Sequence, residues 1–191
     1  MNVYEHFFWN FAIFNRKPWA WKVGLGGILP DLIYLFPFLP KMLTYETFME
    51  WMHDPLWQTI WNSSIAKSAH SFVIWGGTSL FFLAILRRKV FSRVSPFLWG
   101  WGLHILFDAL THVSDGYALF YPLSDFRFPT PVSYWEKTYY GREFFWISHF
   151  LMAALLLYWA GSKLARLWTG KREKSQGEEK PGKKPTGEVT I

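Results

Sequence analysis

The chain has 191 residues, of which 51% are hydrophobic and 21% aromatic, with a net charge of +6 and no cysteine. This length favours a single domain. The lack of cysteine excludes disulfides and thiolate metal sites. The basic residues flank apolar stretches instead of forming one polar face, which argues against a nucleic-acid partner.

The N-terminal part contains a short apolar segment followed by a longer one. Residues 3–14 are too few to cross a bilayer and predict a partial helix. The sequence Asn15-Arg16-Lys17-Pro18 predicts a turn. Residues 19–39 are enough to span a hydrocarbon layer of about 30 Å, but the internal prolines predict a break near Asp31.

The rest of the chain alternates between apolar runs and polar segments. Further spans are predicted at residues 70–86, 96–112 and 144–161, with an interfacial loop containing a short helix at 40–69 and a structured loop at 113–143. From Gly170 onward the chain is too polar to bury a core, which predicts a disordered tail over 170–191 after a membrane-embedded domain at 1–169.

These segments predict an all-α fold: a polytopic membrane helix bundle with about four spanning helices and a short N-terminal partial helix. Lysine and arginine mark the cytoplasmic ends of such helices. They cluster at Arg16-Lys17, at residues 87–93 and in the C-terminal tail. We therefore expect these three regions on the cytoplasmic side and the loops at 40–69 and 113–143 on the other side.

Ionisable side chains inside or beside the predicted spans are the main functional signal. They are His6, Asp31, His70, His104 and Asp108. Such groups are costly at membrane depth unless they pair, bind a cation or line a wet pathway. At 1.5 Å per residue, Asp31 lies about 20 Å and His6 about 16 Å from the Lys17 turn. All five residues are therefore predicted to meet in the outer half of the membrane.

Each of these residues also has a structural interpretation. His104 and Asp108 share one helix face at i,i+4 spacing, which suits either a metal site or a buried hydrogen-bonded pair. Asp31 is also placed to cap a helix, and His6 could be a hydrogen-bonded core residue. His112 extends the face of His104 and Asp108, and its role stays open. His53 and His149 are predicted to be non-ligands, and Ser71 and Thr111 could either orient ligands or bond back to their own helices.

The ordered motifs resemble a known family. They are Gly27-Ile28-Leu29-Pro30-Asp31, Ala69-His70-Ser71, the segment from Gly102 through His104 and Asp108 to Thr111, and Phe120-Tyr121-Pro122-Leu123. Together they resemble the YdjM-like, LexA-regulated inner-membrane metal-dependent hydrolases, which are similar to zinc-dependent phospholipase C domains. The resemblance covers roughly residues 6–123 and implies His6, Asp31, His70, His104 and Asp108 as metal ligands.

The resemblance and the ligand types together predict a membrane-embedded hydrolase that uses zinc or another divalent ion. The metal would activate water against a lipid phosphoester or similar ester. Asp31 or Asp108 would be the general base where it is not fully engaged as a ligand. The expected partners are membrane lipids and a lipid-like substrate, and the resemblance implies a prokaryotic inner membrane. The sequence does not determine the oligomeric state.

Two other functions remain open at the level of sequence. One is an electron-transfer protein that holds haem between histidines such as His70, His104 and His149, although this would leave Asp31 and Asp108 without a role. The other is a non-catalytic membrane protein in which the polar cluster fixes helix packing.

The predicted orientation can be tested by cysteine labelling, because the chain contains no native cysteine. A Val90→Cys variant should resist a membrane-impermeant thiol reagent added to intact cells and react after lysis, since residue 90 lies in a basic cytoplasmic segment. Ser124→Cys, in the opposite loop, is the positive control. Labelling of position 90 in intact cells would contradict the orientation.

Overall fold

The computed structural model describes residues 1–41 and 54–178, and within these ranges the fold is all-α. The helices are α1 (Val3–Ile13), α2 (Ala20–Ile28), α3 (Leu32–Phe38), α4 (Leu56–Trp61), α5 (Ser64–Ala69), α6 (Phe72–Ile85), α7 (Arg88–Thr111) and α8 (Gly141–Glu178), with 3-10 turns at Leu39–Lys41 and Lys137–Tyr139. The predictions for residues 42–53, including His53, lie outside the described residues.

The chain divides into two compact units, Met1–Phe145 and Trp146–Ile191. Across the described residues, the stretch Gly141–Thr169 of α8 is the one helix long and apolar enough to cross a membrane. Helix α6 is apolar but shorter, at 14 residues. The prediction of an all-α fold is therefore confirmed, while the four-span topology stays a prediction.

The predicted interruption of the second apolar segment is confirmed. Helix α2 ends at Ile28 and α3 begins at Leu32, so the break falls at Leu29–Asp31. The turn after α1 is also present, and there the Lys17 amide donates to the Phe14 carbonyl at 2.7 Å. The break follows from proline chemistry, because Pro30 has no N–H to donate to the helical ladder.

Two predicted boundaries differ from the structure. Helix α7 begins at Arg88, not at Pro96, because the intervening basic residues are good helix formers although they end the apolar pattern. Helix α8 continues through Glu178, so residues 170–178 of the predicted disordered tail are helical. Lysine, glutamate, arginine and glutamine in this stretch also favour helix.

Helices α1, α2 and α7 pack against one another and form the centre of the first unit. Glycine permits their close approach at three positions. A Cβ on Gly26 would overlap the Phe97 backbone of α7, and one on Gly100 would overlap the Val23 carbonyl of α2. A Cβ on Gly27 would overlap the Asn10 side chain of α1. The three backbones therefore touch where any larger residue would separate them.

A second cluster is mainly aromatic and lies beside this helix packing. It contains Tyr34, Phe38, Ile60, Ala66 and Tyr117 as buried residues. It joins the short helices α3, α4 and α5 to the segment that follows α7.

The close contact between α2 and α7 predicts a strong effect of adding one methyl group. Gly100→Ala should destabilise the protein by about 1–3 kcal/mol, because the new Cβ meets backbone that cannot rotate away. Gly77→Ala is the matched control. Its Cβ meets nothing within 4 Å on α6, and its better helix propensity should stabilise by about 0.5–1 kcal/mol. Equal effects of both changes on unfolding in detergent would contradict this packing.

Candidate metal centre

The structure brings together all five residues that the sequence singled out. His6 lies on α1, Asp31 lies in the break between α2 and α3, His70 lies between α5 and α6, and His104 and Asp108 lie on α7. The three histidines are fully buried or nearly so. The two aspartate side chains are 13% and 14% exposed. Residues far apart in sequence thus form one polar cluster inside an apolar unit.

Asp108 is at the centre of the cluster, because its two carboxylate oxygens face different histidines. Oδ2 lies 3.1 Å from His104 Nε2 and 3.7 Å from His70 Nε2. Oδ1 lies 3.1 Å from His6 Nε2. Asp31 contacts the same two histidines that face Asp108 Oδ2. Its Oδ1 lies 3.7 Å from His70 Nε2 and 3.8 Å from His104 Nε2.

Backbone carbonyls orient two of these imidazoles. His104 Nδ1 lies 2.6 Å from the Gly27 carbonyl, and His70 Nδ1 lies 2.8 Å from the Ala66 carbonyl. A carbonyl can only accept, so each Nδ1 carries a proton, and in the neutral imidazole each Nε2 presents a lone pair to the cluster. This is the arrangement in which histidine ligates a metal through one nitrogen and is held by the other.

The separations in the cluster are compatible with a shared cation, and the shortest of them, at 3.1 Å, also with a direct hydrogen bond. Two atoms bound to one tetrahedral zinc-like ion lie about 3.4 Å apart, and the observed distances of 3.1–3.8 Å bracket that value. Although His104 Nε2 is close to Asp108, it has no aligned hydrogen-bond partner in the described ranges. Two groups, His6–Asp31–His104 and His70–His104–Asp108, could therefore hold a metal ion.

His112 and Asp115 also belong to this site, although the sequence left the role of His112 open and did not single out Asp115. His112 Nε2 lies 3.4 Å from Asp108 Oδ1, and its Nδ1 lies 2.9 Å from Asp115 Oδ2. The Met1 nitrogen is 2.9 Å from His112 Nε2 and 3.2 Å from Asp108 Oδ1. The sequence feature that could have placed His112 in the site is its i,i+4 spacing from Asp108, which puts both residues on one face of α7.

Among the described residues, the hydroxyls of Ser71 and Thr111 bond to backbone groups and not to the candidate ligands. The Ser71 hydroxyl accepts from the Val73 amide at the start of α6 and donates to the Tyr121 carbonyl at 2.6 Å. It therefore joins the helix next to His70 to the segment that follows α7. Thr111 donates back to the Phe107 carbonyl of its own helix.

The cluster opens into a cavity of about 560 Å³ within the first unit. Its polar lining comes from Asn2, Asp31, His70, Asp108, His112 and Asp115, and its aromatic residues are Tyr34, Trp57, Trp61, Tyr117, Trp135 and Phe145. Over the described residues, this lining contains no lysine or arginine. A bound molecule would therefore meet polar ligands on one side and large apolar surfaces on the other.

Tyr117 connects the aromatic cluster to the candidate ligands. Its ring stacks on His70 with centroids 4.2 Å apart and on Trp61 with centroids 4.3 Å apart. Burial and the nearby Asp31 carboxylate both raise the pKa of the Tyr117 phenol. The phenol therefore stays neutral at physiological pH and acts as an apolar support for His70.

His149 lies in α8 within the second unit, and His53 lies outside the described residues. Comparison with protein-family models, with curated proteins and with solved structures finds no match for this chain. The family resemblance therefore stays a prediction, and the functional argument depends on the geometry of the site.

The Ser71 contacts predict a local loss of stability. Ser71→Ala removes both the helix cap and the bond to the Tyr121 carbonyl, so it should lower the free energy of unfolding by about 1–2 kcal/mol. Ser92→Ala is the control, because this exposed hydroxyl bonds only within α7, to Lys89, and its loss should cost under about 0.5 kcal/mol. Equal losses in equilibrium unfolding would contradict the anchoring role.

Proposed function

We propose that the protein is a membrane-embedded, metal-dependent hydrolase that acts on a lipid phosphoester or similar ester. One observation carries the proposal. Two buried carboxylates and three histidine Nε2 atoms surround a common region beside a large aromatic cavity. In the described part of the chain these carboxylates have no lysine or arginine beside them, so their charge is balanced by the Met1 ammonium group, by protonated imidazole or by a bound cation, and we propose the cation.

The donor set fits a borderline divalent ion, and zinc is the metal we propose. Imidazole nitrogens and carboxylate oxygens are typical ligands of catalytic zinc sites. The nitrogens of His70 and His104 and the oxygens of Asp31 and Asp108 would hold the ion on the Oδ2 side of Asp108. His6 would contribute its Nε2 from the Oδ1 side.

A bound zinc ion supplies an acidified water and polarises the oxygen of a phosphoryl or acyl group. The two aspartates differ in how they can assist. The contacts of Asp108 with imidazole nitrogens involve both of its oxygens, whereas the two contacts of Asp31 with His70 and His104 both involve Oδ1. Asp31 therefore keeps Oδ2 for a proton, and we assign it as the general base and Asp108 as the central ligand.

The cavity favours a substrate with an apolar part beside its reacting group. Its aromatic residues can pack against acyl or glycerol carbons, while the ester group approaches the polar side. Because its lining lacks lysine and arginine, a phosphate charge would be neutralised mainly by the bound ion. This combination suits a membrane lipid better than a free, multiply charged phosphate.

We also propose the polytopic arrangement, with residues 19–39, 70–86, 96–112 and 144–161 in the bilayer. Supporting it, α6 has no buried residue and exposes Leu80 and Phe81 at 67% and 59%. At 14 residues α6 is about 21 Å long, so it needs flanking residues to match a layer of about 30 Å. The membrane would be a prokaryotic inner membrane, with the tail cytoplasmic.

Of the two alternatives, one loses support from the geometry. His70 and His104 meet edge to face with ring centroids 5.0 Å apart. Two axial ligands of one haem must approach it from opposite faces, so this pair cannot enclose a porphyrin. A cluster that only stabilises helix packing is the remaining alternative, and metal content separates it from the hydrolase.

Metal content tests the proposed site. Purified protein should carry near-stoichiometric zinc or a similar divalent ion, and His104→Ala or Asp108→Ala should lose most of it while remaining folded. Asp125→Ala, in an exposed segment, is the matched control. If the cluster only packs helices, the same two changes would instead lower stability by about 1–3 kcal/mol with no effect on metal content. Protein without metal, even after zinc reloading, would contradict the site.

Hydrolysis can be measured on phospholipid vesicles by mass spectrometry of the released head groups and acyl chains. Asp31→Asn should retain zinc, because the amide oxygen can replace Oδ1. It should lose about 10²- to 10⁴-fold in turnover, because the amide cannot accept a proton as a general base. Wild-type turnover in Asp31→Asn would reject the assigned base, and zinc-loaded wild type that cleaves no lipid ester would reject the substrate class.

A further inference from the structure

The three histidines nearest Asp108 differ in how their second nitrogens are held. His70 and His104 each donate Nδ1–H to a backbone carbonyl, from Ala66 and Gly27 respectively. His6 stacks on His104 with ring centroids 3.8 Å apart, yet its Nδ1 has no hydrogen-bond partner among the described residues. His6 therefore needs another hydrogen-bond acceptor for Nδ1–H, because that bond would fix the tautomer in which Nε2 presents a lone pair to Asp108.

Asn10 is a buried polar side chain that also lacks a partner. It is 0% exposed, and neither its amide nitrogen nor its amide oxygen has a hydrogen-bond partner among the described residues. Leaving such a group unpaired costs about 1–3 kcal/mol. A buried polar group of this kind requires an explanation, and an unplaced water or a functional role is a common one.

The two unpartnered groups lie on the same side of α1. Residues 6 and 10 are one turn apart, and side chains in a helix lean towards its N-terminus, so the Asn10 amide points back towards His6. Both residues also meet Gly27. A Cβ there would overlap the Asn10 amide and lie 3.0 Å from the His6 carbonyl oxygen. Gly27 thus leaves room for Asn10 beside the same residue whose carbonyl holds His104.

We propose that Asn10 is a positioning residue for His6. Its amide oxygen accepts the Nδ1–H of His6, through a rotation of the amide or one bridging water, and this leaves the Nε2 lone pair directed at Asp108. All three imidazoles then have the same tautomer, each with an acceptor behind Nδ1. The effect of Asn10 on metal affinity rests on the proposed function, whereas its effect on the His6 tautomer does not.

A purely structural role for Asn10 predicts a different result. If the amide only fills space, Asn10→Leu should leave both the His6 tautomer and zinc affinity unchanged. If Asn10 positions His6, Asn10→Leu should shift the tautomer and weaken zinc binding by about 10- to 100-fold, as loss of a group behind a metal ligand does.

The experiment uses full-length protein in detergent, labelled with ¹⁵N at its six histidines. Nitrogen shifts of the metal-free protein report the tautomers, and the signal lost in His6→Phe identifies His6. Zinc affinity is measured by competition with a chelator. Asn15→Leu, an exposed residue after α1, is the matched control and should change neither result. Asn10→Asp keeps an acceptor oxygen and should retain the wild-type tautomer and affinity.

Each outcome decides the proposal. A protonated Nδ1 on His6 in wild type, its loss in Asn10→Leu and its retention in Asn10→Asp support the proposal. An unchanged tautomer in Asn10→Leu overturns it, as does a change equally large in Asn15→Leu. If Asn10→Leu fails to fold, Asn10→Asp decides, and loss of the Nδ1–H tautomer there overturns the proposal. Wild-type protein that binds no zinc rejects the proposed function, while the tautomer still decides the role of Asn10.

Discussion

The close approach of α1, α2 and α7 is the constraint on which the rest of the structure depends. Gly26 and Gly100 let α2 and α7 touch at their backbones, and Gly27 admits the Asn10 side chain from α1. This contact also places the Gly27 carbonyl 2.6 Å from His104 Nδ1. The same backbone contact therefore packs the unit and orients an imidazole. A side chain at any of the three glycines would separate the helices and displace the candidate ligands with them.

Electrostatics explains why the cluster is arranged around Asp108. A carboxylate buried among apolar helices is costly unless donors or cations surround it. Here Oδ1 and Oδ2 face imidazoles from different helices, so one side chain on α7 connects α1 to the segment between α5 and α6. When neutral, two of these imidazoles present lone pairs to the cluster, because their Nδ1 atoms donate to carbonyls. Lone pairs facing a carboxylate repel it, and a cation between them would remove the conflict.

The sequence predicted more of the site than of the helix boundaries. His104 and Asp108 share a face by helical spacing, and the break before Leu32 follows from Pro30, so local chemistry was sufficient for both. The start of α7 at Arg88 was missed because hydropathy reports burial and not helix propensity. The pairing of His112 with Asp115 depends on how the chain turns after α7. The carbonyls that accept from His70 and His104 Nδ1 could not be predicted from the sequence either, because every residue has a backbone carbonyl and residue type does not show which one lies near a histidine.

The distribution of polarity provides support for the membrane proposal that is independent of helix length. A length criterion counts continuous apolar helices, and it is met by Gly141–Thr169 alone within the described ranges. Burial gives different information. Glu5, His6, Asn10, His70 and His104 are at most 1% exposed, whereas Leu80 and Phe150 are at least 67% exposed. In water this arrangement would leave large apolar side chains unprotected.

In a bilayer the lipid covers those side chains, and polar groups collect in the interior, where they can hold an ion. Breaks such as the one before α3 are tolerated there when protein surrounds them, so short helices around a buried polar centre are compatible with a membrane protein.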